Sequence, residues 1–209
     1  MKKILAGVAT FQNSVFPRYK DHFLKIAARQ EPLALFITCA DSRILPNLIT
    51  QTDPGDLFIC RDVGNIVPPH GSVYGGVSAT IEYAVSVLKV RNIIVCGHSD
   101  CGAMRALLDP DSLKGLPGVL EWLRHAGSPH RAVQAASSQL TEEQRLQMLI
   151  EENVMAQLEH LKTHPPVIQG VTAGTLELHG WVYDIESGGV RVFDEKSRVF
   201  MPISSSEGG

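Results

Sequence analysis

Three short apolar runs limit what this chain can fold into more than any other feature of its sequence. Residues 33–38 (LALFIT), 57–60 (LFIC) and 92–96 (NIIVC) are each too short for a stable helix and carry no regular polar alternation. A strand with one wet face alternates apolar and polar side chains. A strand written as a continuous apolar run is covered on both faces, the habit of parallel sheets in α/β proteins. Two of the runs, 33–38 and 57–60, are bounded upstream by turn signals, Pro32 and Asp53-Pro54-Gly55.

Around these runs the apolar period becomes helical. Val73, Val77, Ile81, Ala84, Val85 and Leu88 share one face, shorter helices are expected over 102–108 and 119–125, and Thr141 with Gln144 fits a capping box ahead of a long helix ending near Leu161. Residues 3–29 read as two amphipathic helical pieces, with Ile4, Val8, Phe11 and Val15 on one face and an interruption at Pro17. Residues 175–185 and 190–194, joined across Glu186-Ser187-Gly188-Gly189, read as a hairpin. Residues 109–118 form a Pro/Gly-rich connection, 127–139 read as soft, and the end of the chain, 203–209, as a flexible tail. The expectation is an α/β fold: a mostly parallel central sheet flanked by helices, a helical arm over 1–31 and an antiparallel C-terminal hairpin. No internal repeat or linker divides the chain, so one domain over 1–209 is expected.

Charge excludes several function classes. The formal net charge is −3, and no block of five or six basic residues exists, so neither nucleic acid nor a membrane surface is an expected partner. The apolar part of the opening MKKILAGVA is too short for a signal-peptide core, and no run approaches the roughly 18 apolar residues of a membrane span. The four cysteines are too sparse for a disulfide framework, which makes a reduced, cytoplasmic protein the expectation.

Two of the runs end in reactive side chains. The first leads into Cys39, Asp41 and Arg43; the third leads through Gly97 into His98, Asp100 and Cys101. Parallel strands present such residues at their carboxyl ends, where open α/β sheets bind ligands. Two thiolates and an imidazole suit Zn²⁺ with one position left for water or for Asp41, and three protein ligands with an open position is the catalytic pattern. Arg43 is placed to pair with Asp41, keeping it ionised and away from the metal. A lone buried cysteine is usually a small apolar core residue, and Cys60 and Cys96 are read that way, as are the seven other histidines as surface or core polar groups. The chain has no Gly-x-Gly-x-x-Gly, Walker A, Gly-x-Ser-x-Gly, His-Glu-x-x-His or Cys-x-x-Cys.

The segments CADSR (39–43) and GHSDCGAM (97–104) resemble the β-class carbonic anhydrases, as do PNLITQTDPGDLFICRDVGNIVPP, GGVSATIEYAV, ENVMAQLEHLKTHP and LHGWVYDIESG. The likeness spans about residues 3–202 and is closest to the plant-like branch that includes bacterial enzymes found with cyanate-degrading enzymes. It implies one Zn²⁺ per chain on Cys39, His98 and Cys101, a catalytic dyad of Asp41 and Arg43, and reversible hydration of CO2 to bicarbonate. It also implies substrate contacts from Gln30, the apolar walls Phe58, Val63 and Tyr83, and the N–H of Gly102. A second branch carries tryptophan at the position of Phe36, where it helps form an inhibitory bicarbonate pocket; this chain is therefore expected to be of the open, non-allosteric type. Homodimers, tetramers or octamers are expected, with the apolar face of the arm packed on another subunit. One departure is Asp62 after Arg61, where the family usually has asparagine, with a consequence for loop hydrogen bonding or for a subunit contact. Rival readings are a carbonyl sulfide or carbon disulfide hydrolase on the same scaffold, and a partner-binding protein with a structural zinc.

Overall fold

The computed structural model describes residues 1–72, 75–136 and 140–203. Among the described residues the strands are β1 (Ala34–Cys39), β2 (Leu57–Asp62), β3 (Asn92–His98), β4 (Glu177–Tyr183), β5 (Val190–Asp194) and β6 (Val199–Pro202). The helices are α1 (Lys2–Thr10), α2 (Phe16–Ile26), α3 (Pro46–Thr50), α4 (Gly76–Ser86), α5 (Gly102–Leu108), α6 (Pro117–Leu123), α7 (Gly127–Ala136), α8 (Glu142–Leu161) and α9 (Pro165–Thr172). The sheet order is β2-β1-β3-β4-β5-β6, with β2, β1, β3 and β4 parallel and β5 and β6 antiparallel. The mixed sheet and the C-terminal hairpin follow the sequence expectation. Strand β6, whose Val199 and Met201 are exposed, extends the hairpin by a strand that the sequence pattern did not suggest.

Alternate strand residues divide between two layers. Leu35, Ile37, Ile93 and Val95 join the main core with Val77 and Ile81 of α4, Met104 of α5, Ile150, Val154 and Leu158 of α8, and Val167 of α9. On the other face Ala34, Phe36, Ile94 and Cys96 cluster with Leu57, Trp181 and Tyr183, and among the described residues no helix contributes to that cluster. Helix α8 comes close because Gly97 and Gly180 lack a Cβ: one on Gly97 would lie 2.9 Å from Val154 Cγ2, and one on Gly180 would lie 3.0 Å from Val154 Cγ1. The Thr141–Gln144 capping box forms reciprocally, with bonds of 2.9 and 3.2 Å.

Some local expectations are corrected. The arm forms the two helical pieces expected, but Pro17 does not end the helix: α1 runs through a π-helical turn (Phe11–Val15) into α2, and the irregularity lies in the turn before Pro17. The helix expected over 119–125 is α6, beginning at Pro117 and followed by a 3-10 turn (Arg124–Ala126). The stretch expected to be soft is helical as α7 over its first ten residues, because Val133 is fully buried in the main core; residues 137–139 lie outside the described residues. The connection 109–118 contains a 3-10 turn (Pro110–Leu113), and α3 and α9, which no sequence expectation covered, begin at Pro46 and Pro165. Val73 and the tail 204–209 also lie outside the described residues.

Candidate active site

β1 and β3 are neighbours at the centre of the sheet, and the chain leaves β1 for β2 on one side before returning as β3 on the other. That reversal opens a crevice at the strands' carboxyl ends. Cys39 is the last residue of β1 and His98 the last of β3. A tight turn through Asp100, at φ +53°, then brings Cys101 to the N-cap of α5. The two sulfurs and an imidazole nitrogen lie within 4.8 Å of one another, and all three residues are buried.

The donor atoms fit a divalent metal ion. His98 Nδ1 donates to the Ser99 carbonyl at 2.8 Å, which leaves Nε2 with a free lone pair; Nε2 is fully buried and has no hydrogen-bond partner. The neighbouring Cys101 thiol holds the Cys39 thiol well below the usual thiol range, against the cost of burial. Cys39 in turn, together with burial, pushes Cys101 up. By contrast burial pushes Cys60 up to about 11 and Cys96 up to about 12, consistent with inert core thiols, and all four cysteines are free. The described residues offer Cys39, His98 and Cys101 as a group that could hold a metal ion.

Asp41 stands beside this cluster and is gripped by Arg43. Nε donates to Oδ1 at 3.0 Å, Nη2 to Oδ2 at 2.8 Å, and the Arg43 backbone N–H to Oδ1 at 2.9 Å. These bonds hold the Asp41 carboxyl well below the usual carboxylate range. Arg43 is held from its other side by Asp100, through Nη1 to Oδ2 at 3.2 Å and Nη2 to the backbone oxygen at 3.2 Å, while Arg105 grips Asp100 at 2.6 Å. Arg61 donates to the Cys39 and Asp41 carbonyls at 3.2 and 2.6 Å, fixing the backbone that carries both residues. Sequence reasoning missed Arg61 and Asp100 as supports; their roles depend on cross-strand register and a left-handed turn that spacing alone does not reveal.

The expected substrate residues fall into two groups. Val63 directly precedes Gly64, whose N–H donates to Cys39 Sγ at 3.4 Å; Gly102 opens α5 immediately after Cys101. Gln30, Phe58 and Tyr83 lie at the opposite edge of the sheet. Gln30 and Tyr83 line one groove with Leu33 and Asn92, at the amino ends of β1 and β3, and Phe58 meets Tyr83 with ring centres 5.9 Å apart. The five residue steps of β1 from Ala34 to Cys39 separate the two ends of the strand, about 17 Å at ~3.3 Å per residue. One chain does not bring Gln30, Phe58 and Tyr83 to its own metal cluster. Asp62 resolves toward loop hydrogen bonding: Oδ1 accepts from the Ile66 N–H at 2.7 Å, while Oδ2 is buried without a partner and burial pushes the carboxyl up to about 7. Phe36 is fully buried and packs edge-on to Trp181 at 5.9 Å.

A parallel sheet that carries two thiols and an imidazole to one crevice, beside an aspartate fixed by arginine, defines a metal-dependent enzyme of the α/β class. Comparison with known proteins narrows this. Residues 34–190 match the family model described as carbonic anhydrase. A carbonic anhydrase of Pseudomonas aeruginosa is 49% identical over 98% of this chain and 92% of its own length. The solved β-carbonic anhydrase CcaA superposes with a TM-score of 0.95 at 42% identity, covering 97% of this chain and 99% of that one. A structure from a study of two tetrameric β-carbonic anhydrases of Sordaria macrospora superposes at 0.75 with 32% identity, covering 91% and 92%. The chain belongs to the β-carbonic anhydrase family.

Proposed function

We propose that this chain catalyses the reversible hydration of CO2 to bicarbonate and a proton, at a zinc ion held by Cys39, His98 and Cys101 beside the dyad Asp41–Arg43. The observation that carries this reading is the buried, unpartnered Nε2 of His98 facing two cysteine sulfurs. Three donors leave a tetrahedral ion one position for chemistry. Bound there, zinc supplies hydroxide at neutral pH by lowering the pKa of water to about 7. With the metal bound, Asp41, fixed beside the cluster by Arg43, would accept a hydrogen bond from the nucleophile and orient it toward CO2. Arg43 keeps that carboxylate ionised and out of the ligand set, which supports the open, non-allosteric type. Val63 supplies an apolar wall, and the Gly102 N–H is available to a developing bicarbonate oxygen.

Gln30, Phe58 and Tyr83 complete the substrate pocket from a second copy of the chain. Their position at the far sheet edge supports this, as does the arm, on which Ile4, Leu5, Val8, Phe11, Tyr19 and Leu24 are all exposed. The cluster on the other sheet face, to which no helix among the described residues contributes, supports it further. The protein acts as a homo-oligomer, a dimer or an assembly of dimers, like the tetrameric relatives of Sordaria. The whole chain works as one catalytic domain. Its unpaired cysteines suit a reducing cytoplasm. The motifs fit the plant-like branch found with cyanate-degrading enzymes.

The test compares substrates. Purified zinc protein is expected to hydrate CO2 rapidly in stopped flow and to turn over carbonyl sulfide at a small fraction of that rate. Rapid carbonyl sulfide hydrolysis with slow CO2 hydration would move the assignment to a sulfur-substrate hydrolase.

A further inference from the structure

We infer that Asn153 and Gln157 of α8 are positioning residues for the metal site: they set the turn over residues 63–67 so that the Gly64 N–H donates to the Cys39 sulfur. The inference rests on Cys39 being a zinc ligand. The turn is an unusual one. Gly64 sits at φ +87° and Asn65, a residue with a side chain, at φ +48°. A Cβ on Gly64 would lie 3.1 Å from Met104 Cε and 3.2 Å from Ala103 Cβ, both on α5, so the turn is wedged between Cys39 and the helix that Cys101 caps. Left-handed backbone at such a place persists only when its surroundings hold it.

Those surroundings are specific. Asn153 Nδ2 donates to the Gly64 carbonyl at 3.0 Å, and Gln157 Oε1 accepts from the Val67 N–H at 2.9 Å. Gln157 Nε2 donates to Asn153 Oδ1 at 2.8 Å, which fixes the orientation of both amides. His160, one turn further along, bonds the Val67 carbonyl at 2.8 Å. Trp122 holds the Val63 carbonyl at 2.8 Å from the other side. Residues i and i+4 on a helix share a face, and this face is otherwise core: Ile150, Val154 and Leu158 are buried around the two amides. Asn153 and Gln157 are 1% and 0% exposed. Two buried amides are costly on an apolar face unless fully bonded, and apolar residues would satisfy packing alone. Their bonds go to the turn whose next donor, the Gly64 N–H, meets Cys39 Sγ at 3.4 Å. An N–H bonded to a ligating thiolate withdraws charge from the sulfur and fixes its direction, as partners behind metal ligands commonly do. Neither amide reaches the crevice, so both act through Gly64.

The test uses the zinc enzyme and its Co²⁺-substituted form, with Asn153→Leu, Gln157→Leu and the milder Asn153→Ser. Leu146→Ala, about 10 Å earlier on the same helix, is the control for general loss of packing. The readouts are zinc transfer to a chromophoric chelator and the sulfur-to-cobalt charge-transfer band. The amide variants are expected to release zinc about 10-fold faster or more and to shift the band, the range typical of lost support behind a ligand. Leu146→Ala is expected to lower the melting temperature with neither effect. Amide variants that match the wild type in release and band would overturn the inference, as would a Leu146→Ala protein that reproduces both changes. Cys39→Ser separates the underlying reading: with one thiolate fewer its band should weaken to about half or vanish with the metal, and a band of wild-type intensity and position would show that Cys39 is not a ligand.

Discussion

At Asp41, both carboxylate oxygens are held by one guanidinium, and the same guanidinium is braced by Asp100. Lysine at 43 would keep the charge but lose the fork that grips two oxygens. Arg43→Lys is therefore expected to lower kcat about 10-fold, and Asp41→Ala about 100-fold or more, each with one zinc per chain retained, by stopped-flow hydration and metal analysis. Because Arg43 depresses the Asp41 pKa, the stabilisation from this pair is present above about pH 4 and disappears only as pH falls through the depressed value. Asp41 is therefore ionised throughout the neutral range. The rise of rate toward alkaline pH should persist in the residual activity of Asp41→Asn; a profile made flat by that change would assign the titration to Asp41 instead. At this scale the sequence was most informative where spacing is local. Cys39, Asp41 and Arg43, and His98 with Cys101, stand within a few residues of one another. Arg61 and Asp100 escaped because their partners, the Asp41 carbonyl and Arg43, lie on the neighbouring strand's loop, distant in sequence.

Helix α8 carries the next level. It lies on β3 and β4 through Gly97 and Gly180, and Gly97 directly precedes the ligand His98. Gly97→Ala would drive a Cβ to 2.9 Å from Val154, and a loss of about 1–3 kcal/mol in chemical denaturation is expected, with faster zinc loss as His98 shifts. At the far end of α8, burial lowers the pKa of His160 and His164, and His164 bonds the Pro68 carbonyl at 3.0 Å. A base whose folded pKa is lowered binds fewer protons folded than unfolded, so stability falls as pH drops below about 6.5. His164→Gln, which keeps a donor for Pro68, should lose less melting temperature between pH 7 and 5 than the wild type. The buried strands and the capping box were legible because apolar runs and cap residues act locally. The π-helical passage around Pro17, the α7 helix and strand β6 were not. Each depends on what the segment meets: a deformable turn, a core that accepts Val133, or a neighbouring strand edge.

For the molecule as a whole, the proposed function leaves the single chain unfinished. Its arm exposes an apolar stripe, no helix among the described residues contributes to the cluster on one sheet face, and Gln30, Phe58 and Tyr83 stand toward the amino ends of the strands, away from the cluster they would serve. Polar substitutions on the stripe, Phe11→Glu with Phe16→Glu, are expected to shift the sedimenting species from oligomer to monomer and to lower activity, with zinc still bound. A fully active monomer would contradict the second-copy pocket. This part was least legible, because the order of residues along a chain does not say which of two copies a side chain serves. The most direct test of the central claim is stopped-flow CO2 hydration with zinc content assayed on the same samples of wild type and Cys39→Ser. The account predicts fast hydration with about one zinc per chain in the wild type, and loss of metal and rate together in Cys39→Ser. Full zinc without hydration in the wild type, or full activity in Cys39→Ser, would contradict it.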